Sequence, residues 1–409
     1  MNLSFFIARR YLIKQKGTFS SFIIRLAVVA TALSVAVMIV AMAIVTGFNY
    51  AVTEKLYSFM GHVHVIPFNE TKSTSPTYAE PIFFDKKLQD DIRRLPHVSA
   101  VSPFVERQVI VQSRKGSMEG LVLKGVNKDY HFLKGITTSG KAIDYVDTLY
   151  SKQVILSKST ADRLNVNIGD TVQLEFIDGN APRFRRVTVN GVYHSGMEDV
   201  DKYFAVCDIR LLQRINNWSA DSINGYQVDL DDERFADTVA SYIHYNLTKA
   251  PLEAYTTTEN YSFIFDWLRL QGLNGTILLI IMAVVAIINM GAVLLILMVD
   301  RANMIGLLKA LGMPFETTRN IFLGIAGLIG AAGIVIGNAL ALLLCWLQLT
   351  FGIVKLPEDS YYMRFVPIKI VWWHVIGIDT ITLVLCVLCM WLPTLYIRRI
   401  QPARVLQFK

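Results

Sequence analysis

The chain has 409 residues, 53% hydrophobic and only 18% charged, with a formal net charge of +7 and a mean hydropathy of +0.40. That is too apolar for a water-soluble protein of this length and points to an integral membrane protein. Cys207 is the one cysteine of the polar middle, which excludes a disulfide framework there, and the positive charge sits in three short clusters that give no argument for nucleic acid.

In chain order, residues 1–25 form a basic amphipathic cytoplasmic segment, LSFFIARRYLIKQKG near its start, of which residues 1–16 are expected to lie in the plane of a membrane surface. It resembles the n-region of a signal peptide. The apolar run after Arg25 is longer than an h-region and ends without a small-residue cleavage pattern, so residues 26–46 are read as a retained first span. Roughly 20 apolar residues cross a bilayer, and the runs at 273–299, 321–349 and 371–396 supply three more. The basic clusters are Arg9, Arg10, Lys14, Lys16 and Arg25, then Arg301, Lys309 and Arg319, then Arg398, Arg399, Arg404 and Lys409. Four spans put all three on one side, which the positive-inside rule makes cytoplasmic. The expected order is therefore a cytoplasmic hairpin at 300–318, a short outer loop at 350–370, and a cytoplasmic tail at 397–409. Trp372 and Trp373 would mark the outer interface.

Residues 47–270, between the first and second spans, have ordinary soluble composition and face the outside in this topology. Alternating and β-branched runs predict strands at 62–67, 98–111, 120–125, 153–156, 171–176, 184–193 and 225–230. Helices are expected at 85–95, 158–164, 208–215 and 231–247, the last with an Asp-rich first turn. The irregular alternation implies α+β layers in two lobes. Residues 48–59 and 257–270 extend the flanking spans as helical stalks, and 71–77 is a polar, turn-rich loop.

Chemistry-bearing motifs are scarce. GITTSGKA at 135–142 nearly spells a phosphate-binding loop, but Ala142 replaces the hydroxyl that ligates magnesium, and the segment lies outside. His62 and His64 alternate on one strand without a third ligand nearby in sequence, short of a metal site. Asp162, Asp170, Glu198, Asp199 and Asp201 read as solvated carboxylates, and Cys386-x-x-Cys389 as two small apolar residues within a span. No catalytic or metal residues are therefore assigned. In the spans, Asn289 and Asp379 are polar groups that commonly face a bundle interior. Gly324, Gly327, Gly330, Gly333 and Gly337 repeat at helical spacing, and small residues so placed let helices approach closely. Asn289, Gly330, Gly333 and Gly337 are the helix-packing candidates.

The hairpin DRANMIGLLKALGM at 300–313 is amphipathic: Met304, Ile305, Leu308 and Leu311 fall on one stripe, with Arg301 and Lys309 off it. Such a helix either rests in the lipid interface or sits in a groove on a partner.

The hairpin's IGLLKALG resembles the cytoplasmic coupling motif of the FtsX/MacB-type permeases of ABC transporters, nearest to the lipoprotein-releasing branch, LolC and LolE. The resemblance runs through IARRYL at 7–12, TGF at 46–48, LPHV at 95–98, LKGV at 123–126 and LNV at 164–166 leading to IGD at 168–170. It continues in Ser195-Gly196 followed by Asp201, Asn289, Leu356-Pro357 with Tyr361-Tyr362 and Pro367, and QPARVL at 401–406. The resemblance implies a type VII architecture: four transmembrane helices and a MacB-like periplasmic core domain in the bacterial inner membrane. It implies a permease that is not itself an enzyme and carries no cofactor, ATP and magnesium being held by a separate cytoplasmic ATPase dimer. Arg301, Met304, Ile305, Leu308, Lys309, Leu311 and Gly312 become its ATPase-coupling residues. The implied work is release of lipoproteins to a periplasmic carrier, with a second permease subunit, the same or a sister chain, as partner. FIDGNAPRF at 176–184 looks short for a carrier-binding hook. The alternatives are an FtsX- or MacB-like permease that activates cell-wall hydrolases or exports small molecules or peptides, and a membrane-anchored enzyme with its catalytic domain outside.

Overall fold

The computed structural model describes residues 19–68, 81–128, 130, 137–145, 150–178, 181–300, 312–357 and 363–397. The expected surface segment at 1–16, the loop at 71–77 and the stripe at 300–311 fall wholly or mainly outside these residues. The chain divides into two compact units. One comprises Met1–Tyr50, Leu268–Lys355 and Phe365–Lys409; the other, Ala51–Trp267 and Leu356–Arg364.

The first helix, α1, runs unbroken over Phe19–Met60, 42 residues. At about 1.5 Å per residue it is roughly 60 Å long, twice the hydrocarbon thickness of a bilayer. It stops at Gly61, whose φ of 77° is the left-handed conformation that closes helices, and whose N–H returns to the Tyr57 carbonyl at 2.7 Å.

The second unit then unfolds in order: β1 (Val63–Pro67), β2 (Ile82–Phe83), α2 (Lys86–Arg93), β3 (Val98–Gln112), β4 (Met118–Val126), β5 (Thr137–Gly140) and β6 (Gln153–Ser157). After these come α3 (Lys158–Leu164), β7 (Thr171–Asp178), β8 (Ala181–His194), α4 (Glu198–Tyr203), β9 (Phe204–Asp208) and α5 (Ile209–Ile215). Next are β10 (Ser222–Ile223), β11 (Gly225–Leu230), α6 (Ala236–Tyr242), β12 (Leu252–Thr256) and α7 (Thr257–Asn260). Local chemistry sets the helix starts. Asp85 accepts from the N–H groups of Lys87 and Leu88, Ser157 from Thr160, and Asp208 from Arg210.

The main sheet has the order β12-β1-β11-β3-β4-β9-β6-β8-β5, with β7 bridging β3 and β8. Its hinge is the length of β3. Residues 98–104 of that strand pair with β11, residues 110–112 pair with β7, and β4 lies along the opposite edge. Pairing therefore returns on itself through β3, β4, β9, β6, β8 and β7, a closed ring in which each strand has a paired neighbour on either side. The two lobes are this ring and the β12-β1-β11 extension, joined by β3. An apolar core that includes Val105, Leu123, Phe176, Val189, Cys207 and Tyr226 runs through both and is covered by α2, α5 and α6.

The first unit's remaining helices are α8 (Ser262–Asp300), α9 (Phe315–Phe351) and α10 (Trp372–Ile397). With α1 they are, among the described residues, four helices long and apolar enough to cross a membrane. A Cβ on Gly337 would lie 2.7 Å from the Ala32 carbonyl oxygen, and one on Gly330 would touch Cys386 at 3.4 Å. So α9 packs against α1 through one part of its glycine stripe and against α10 through another. Asn338 Nδ2 donates to Asp379 Oδ2 at 2.8 Å, joining α9 to α10. Asn289 stands exposed on α8, and Trp372 and Trp373 are exposed at the start of α10.

Candidate functional site: the root of α1 in the soluble unit

The last turn of any helix leaves its carbonyls without intrahelical partners. At the end of α1, Lys124 of β4, Tyr130 and the first residue of α7 supply partners to the closing turn. Phe59 O accepts from Lys124 Nζ at 3.2 Å and from Tyr130 Oη at 2.7 Å. Gly61 O accepts from Thr257 Oγ1 at 2.6 Å, and His62 O from the Thr257 N–H at 2.9 Å. Thr257 opens α7, whose start is a complete capping box: Thr256 Oγ1 accepts from the Glu259 N–H, and Glu259 Oε2 accepts from the Thr256 N–H. Tyr57 Oη lies 3.2 Å from Thr258 Oγ1, and Tyr261 Oη donates to Met60 Sδ at 3.4 Å. The end of one long helix and the lead-in to the next are thus tied together on the β1 side of the sheet.

Beneath them lies a buried polar cluster. Glu106 and Lys124 are direct partners across β3 and β4, and Lys124 is 0% exposed. Its Nζ donates to Gln227 Oε1 at 2.8 Å but stands 3.9 Å from Glu106 Oε1. The rings of Phe59, Phe104 and Tyr130 lie within 5.5 Å of Nζ, a cage whose π faces favour a cation. Burial lowers the Lys124 pKa, while Glu106 and Asp229 oppose it; burial raises that of Glu106, against the pull of Lys124. The Glu106 N–H donates to Asn224 Oδ1 at 2.9 Å, which fixes the backbone under the pair.

The two histidines on β1 belong to this root. His62 stacks on Tyr57 at 4.3 Å and its Nδ1 accepts from the Leu230 N–H at 3.1 Å. His64 sits between Tyr255 and Phe104 at 5.6 and 5.8 Å. Burial pulls the His62 pKa down to about 4, against Asp231, and the His64 pKa down to about 3, with Lys124 adding to the effect. Both rings are neutral packing elements, and among the described residues no three His, Cys, Asp or Glu side chains converge on a metal position.

Asp201 is not a solvated carboxylate: it is 3% exposed, because the turn after β8 folds over it. Its Oδ1 accepts from the N–H and Oγ of Ser195 at 3.0 and 2.6 Å, and its Oδ2 lies 3.0 Å from His194 Nδ1. His194 does not stand between serine and aspartate, so the trio is a turn brace and no nucleophile is activated. Asp162 and Asp170 are exposed, as read from the sequence. The GITTSGKA segment contributes β5, paired to β8 from Thr137↔His194 to Gly140↔Gly191, so its glycine-lysine end follows a sheet edge and opens no helix.

Of the coupling residues, Arg301, Met304, Ile305, Leu308, Lys309 and Leu311 lie outside the described residues. Gly312 has a positive φ of 84°, and α9 starts three residues later behind Pro314. Periodicity and motif do not mark Lys124 as a site, although LKGV contains it. The available signal is a lone charge inside GLVLKGV, a run otherwise apolar enough for a doubly buried strand.

Residues 26–272 match the family model for a MacB-like periplasmic core domain, and residues 276–402 that for an FtsX-like permease C-terminal region. A lipoprotein-releasing system transmembrane protein LolC from Xylella fastidiosa is 25% identical over 424 residues, 100% of this chain and 99% of that one. A lipoprotein-releasing system transmembrane protein LolE from Haemophilus influenzae is 23% identical over 426 residues, 99% of each chain. The periplasmic region of MacB from Actinobacillus actinomycetemcomitans aligns at 14% identity with a TM-score of 0.36, over 51% of this chain and 95% of that one, so the family rests on the sequence matches. With four apolar helices and a large α+β core domain between the first two, the chain belongs to the FtsX/MacB-type permeases of ABC transporters, of type VII architecture.

Proposed function

We propose that this chain is the permease of a lipoprotein-releasing ABC transporter in the bacterial inner membrane, with its core domain in the periplasm. The observation that carries the reading is the end-to-end similarity to relatives named as lipoprotein-releasing, which covers the core domain and the membrane helices alike. A separate cytoplasmic ATPase dimer binds ATP and magnesium and drives the hairpin at 300–318. Met304, Ile305, Leu308 and Leu311 seat in a groove on that ATPase, and Lys309 meets its rim. The helices α1 and α8 then carry the displacement to the core domain, whose movement lifts lipoprotein from the outer leaflet to a carrier. A second permease, the same chain or a sister, completes the transporter. Strands β7 and β8 pair down to Asp178↔Ala181 with only two residues between them, which favours the version without a carrier-binding hook.

A buried apolar anchor contributes roughly 1.5–3 kcal/mol, and a rim charge under about 1 kcal/mol. Leu308→Asp should therefore release the ATPase in a pull-down or abolish lipoprotein release, while Lys309→Ala does little. Undiminished ATPase recovery and wild-type release with Leu308→Asp would rule the docking out.

A further inference from the structure

We propose that Lys124 is the positioning residue that locks the end of α1 to the core-domain sheet, so that displacement of α1 moves the sheet instead of slipping past it; this rests on the permease reading above. The helix end is ordinarily capped by water or by a glycine turn. Here Gly61 closes the helix, and a fully buried ammonium is added to the same turn. Lys124 reaches Phe59 O on the helix and Gln227 Oε1 on β11, while its backbone belongs to β4, paired to both β3 and β9. One side chain therefore connects the helix end to the extension and to the ring.

An apolar side chain would fill the Phe59, Phe104 and Tyr130 cage with less desolvation. What the lysine adds is direction. Its hydrogen bonds fix the rotation of the last helical turn, and its charge complements the negative end of the helix. Glu106, across the strand pair, supplies the countercharge without competing for Nζ, because 3.9 Å is beyond hydrogen-bond reach.

The test uses the full permease with its ATPase in proteoliposomes. Lys124→Met alone strands Glu106, so the informative variant is Lys124→Met with Glu106→Gln, which removes both charges; Lys124→Arg is the conservative comparison. Spin labels at Glu54→Cys on α1 and Arg114→Cys in the β3–β4 turn, both exposed, report the helix-to-sheet distance. In the otherwise wild-type protein that distance distribution stays narrow when ATP is trapped with vanadate. In the double variant it should broaden, with the melting midpoint within about 3 °C of wild type and lipoprotein released per ATP reduced at least about fivefold. Lys124→Arg should recover at least half of that loss. A distribution as narrow in the double variant as in the wild type overturns the proposal. The distance measurement needs no cargo, so wild-type protein that hydrolyses ATP without releasing lipoprotein counts against the permease reading alone.

Discussion

The Cβ that Gly333 lacks would fall 2.7 Å from the Cβ of Thr31, closer than side chains pack, so α9 and α1 meet there with nothing between them. Gly327, six residues earlier on the same helix, has no atom within 4 Å of its missing Cβ. Gly333→Val should lower the melting midpoint in detergent, as overpacking by about 1–3 kcal/mol does. Gly327→Ala should leave it unchanged or raise it. Equal behaviour of the two variants would place the α1–α9 contact elsewhere.

The Asn338–Asp379 hydrogen bond joins α9 and α10 inside the apolar unit. Interhelical polar pairs in membranes average about 0.6 kcal/mol and reach about 1.7 kcal/mol. A double-mutant cycle with Asn338→Leu and Asp379→Leu should return a coupling energy in that range, read from reversible unfolding in mixed micelles. A coupling of zero would mean that the pair opens in a bilayer.

The root of α1 should make the core domain acid-sensitive. His62 and His64 are neutral when folded, with pKa values near 4 and 3, whereas the unfolded chain protonates both near 6.5. Between those limits the unfolded state binds more protons, so stability is full above about pH 6.5 and is lost as pH falls toward 4. Each histidine contributes up to about 1.4 kcal/mol per pH unit. His64→Gln removes one of the two and should flatten the fall in urea midpoint between pH 7.5 and 5 by about one proton's worth. An unchanged slope would assign the acid sensitivity to other groups.

Much of the core domain was readable because its strands alternate. Val98–Gln112, Gln153–Ser157 and Thr171–Asp178 lie within about two residues of their expected bounds, and α3 coincides with its prediction. Strand β9 was missed: FAVCD is short, directly follows α4 and runs straight into α5, so no turn residue separates it. The ring was invisible as well, since it depends on β3 changing partner halfway along. A charged residue predicts exposure by default. Lys124 and Asp201 defeat that rule because their partners come from residues 59 and 227, and from a turn that wraps back, none of which periodicity reports. The histidine pair was correctly placed on one strand, yet the rings that enclose His64 come from β3 and β12.

Asp201 gives the sharpest contrast between two carboxylates that look alike in the sequence. Asp162 forms an exposed pair with Lys158, and such pairs contribute under about 1 kcal/mol. Asp201 holds two donors of Ser195 and faces His194 in a buried turn, while its own carbonyl accepts from Thr160 Oγ1 at 3.1 Å. Asp201→Ala leaves the buried Ser195 N–H without its acceptor and the hydroxyl with only the long 3.4 Å contact to the Met197 carbonyl, a loss on the order of 2 kcal/mol. Asp201→Asn keeps an acceptor oxygen for Ser195 and should lose less than half as much. Urea unfolding followed by core-domain tryptophan fluorescence should rank wild type and Asp162→Ala together, then Asp201→Asn, then Asp201→Ala. If Asp201→Ala unfolds with wild type, the turn is braced by the Ser157 and Thr160 hydroxyls on the Asp201 carbonyl, and the carboxylate is dispensable.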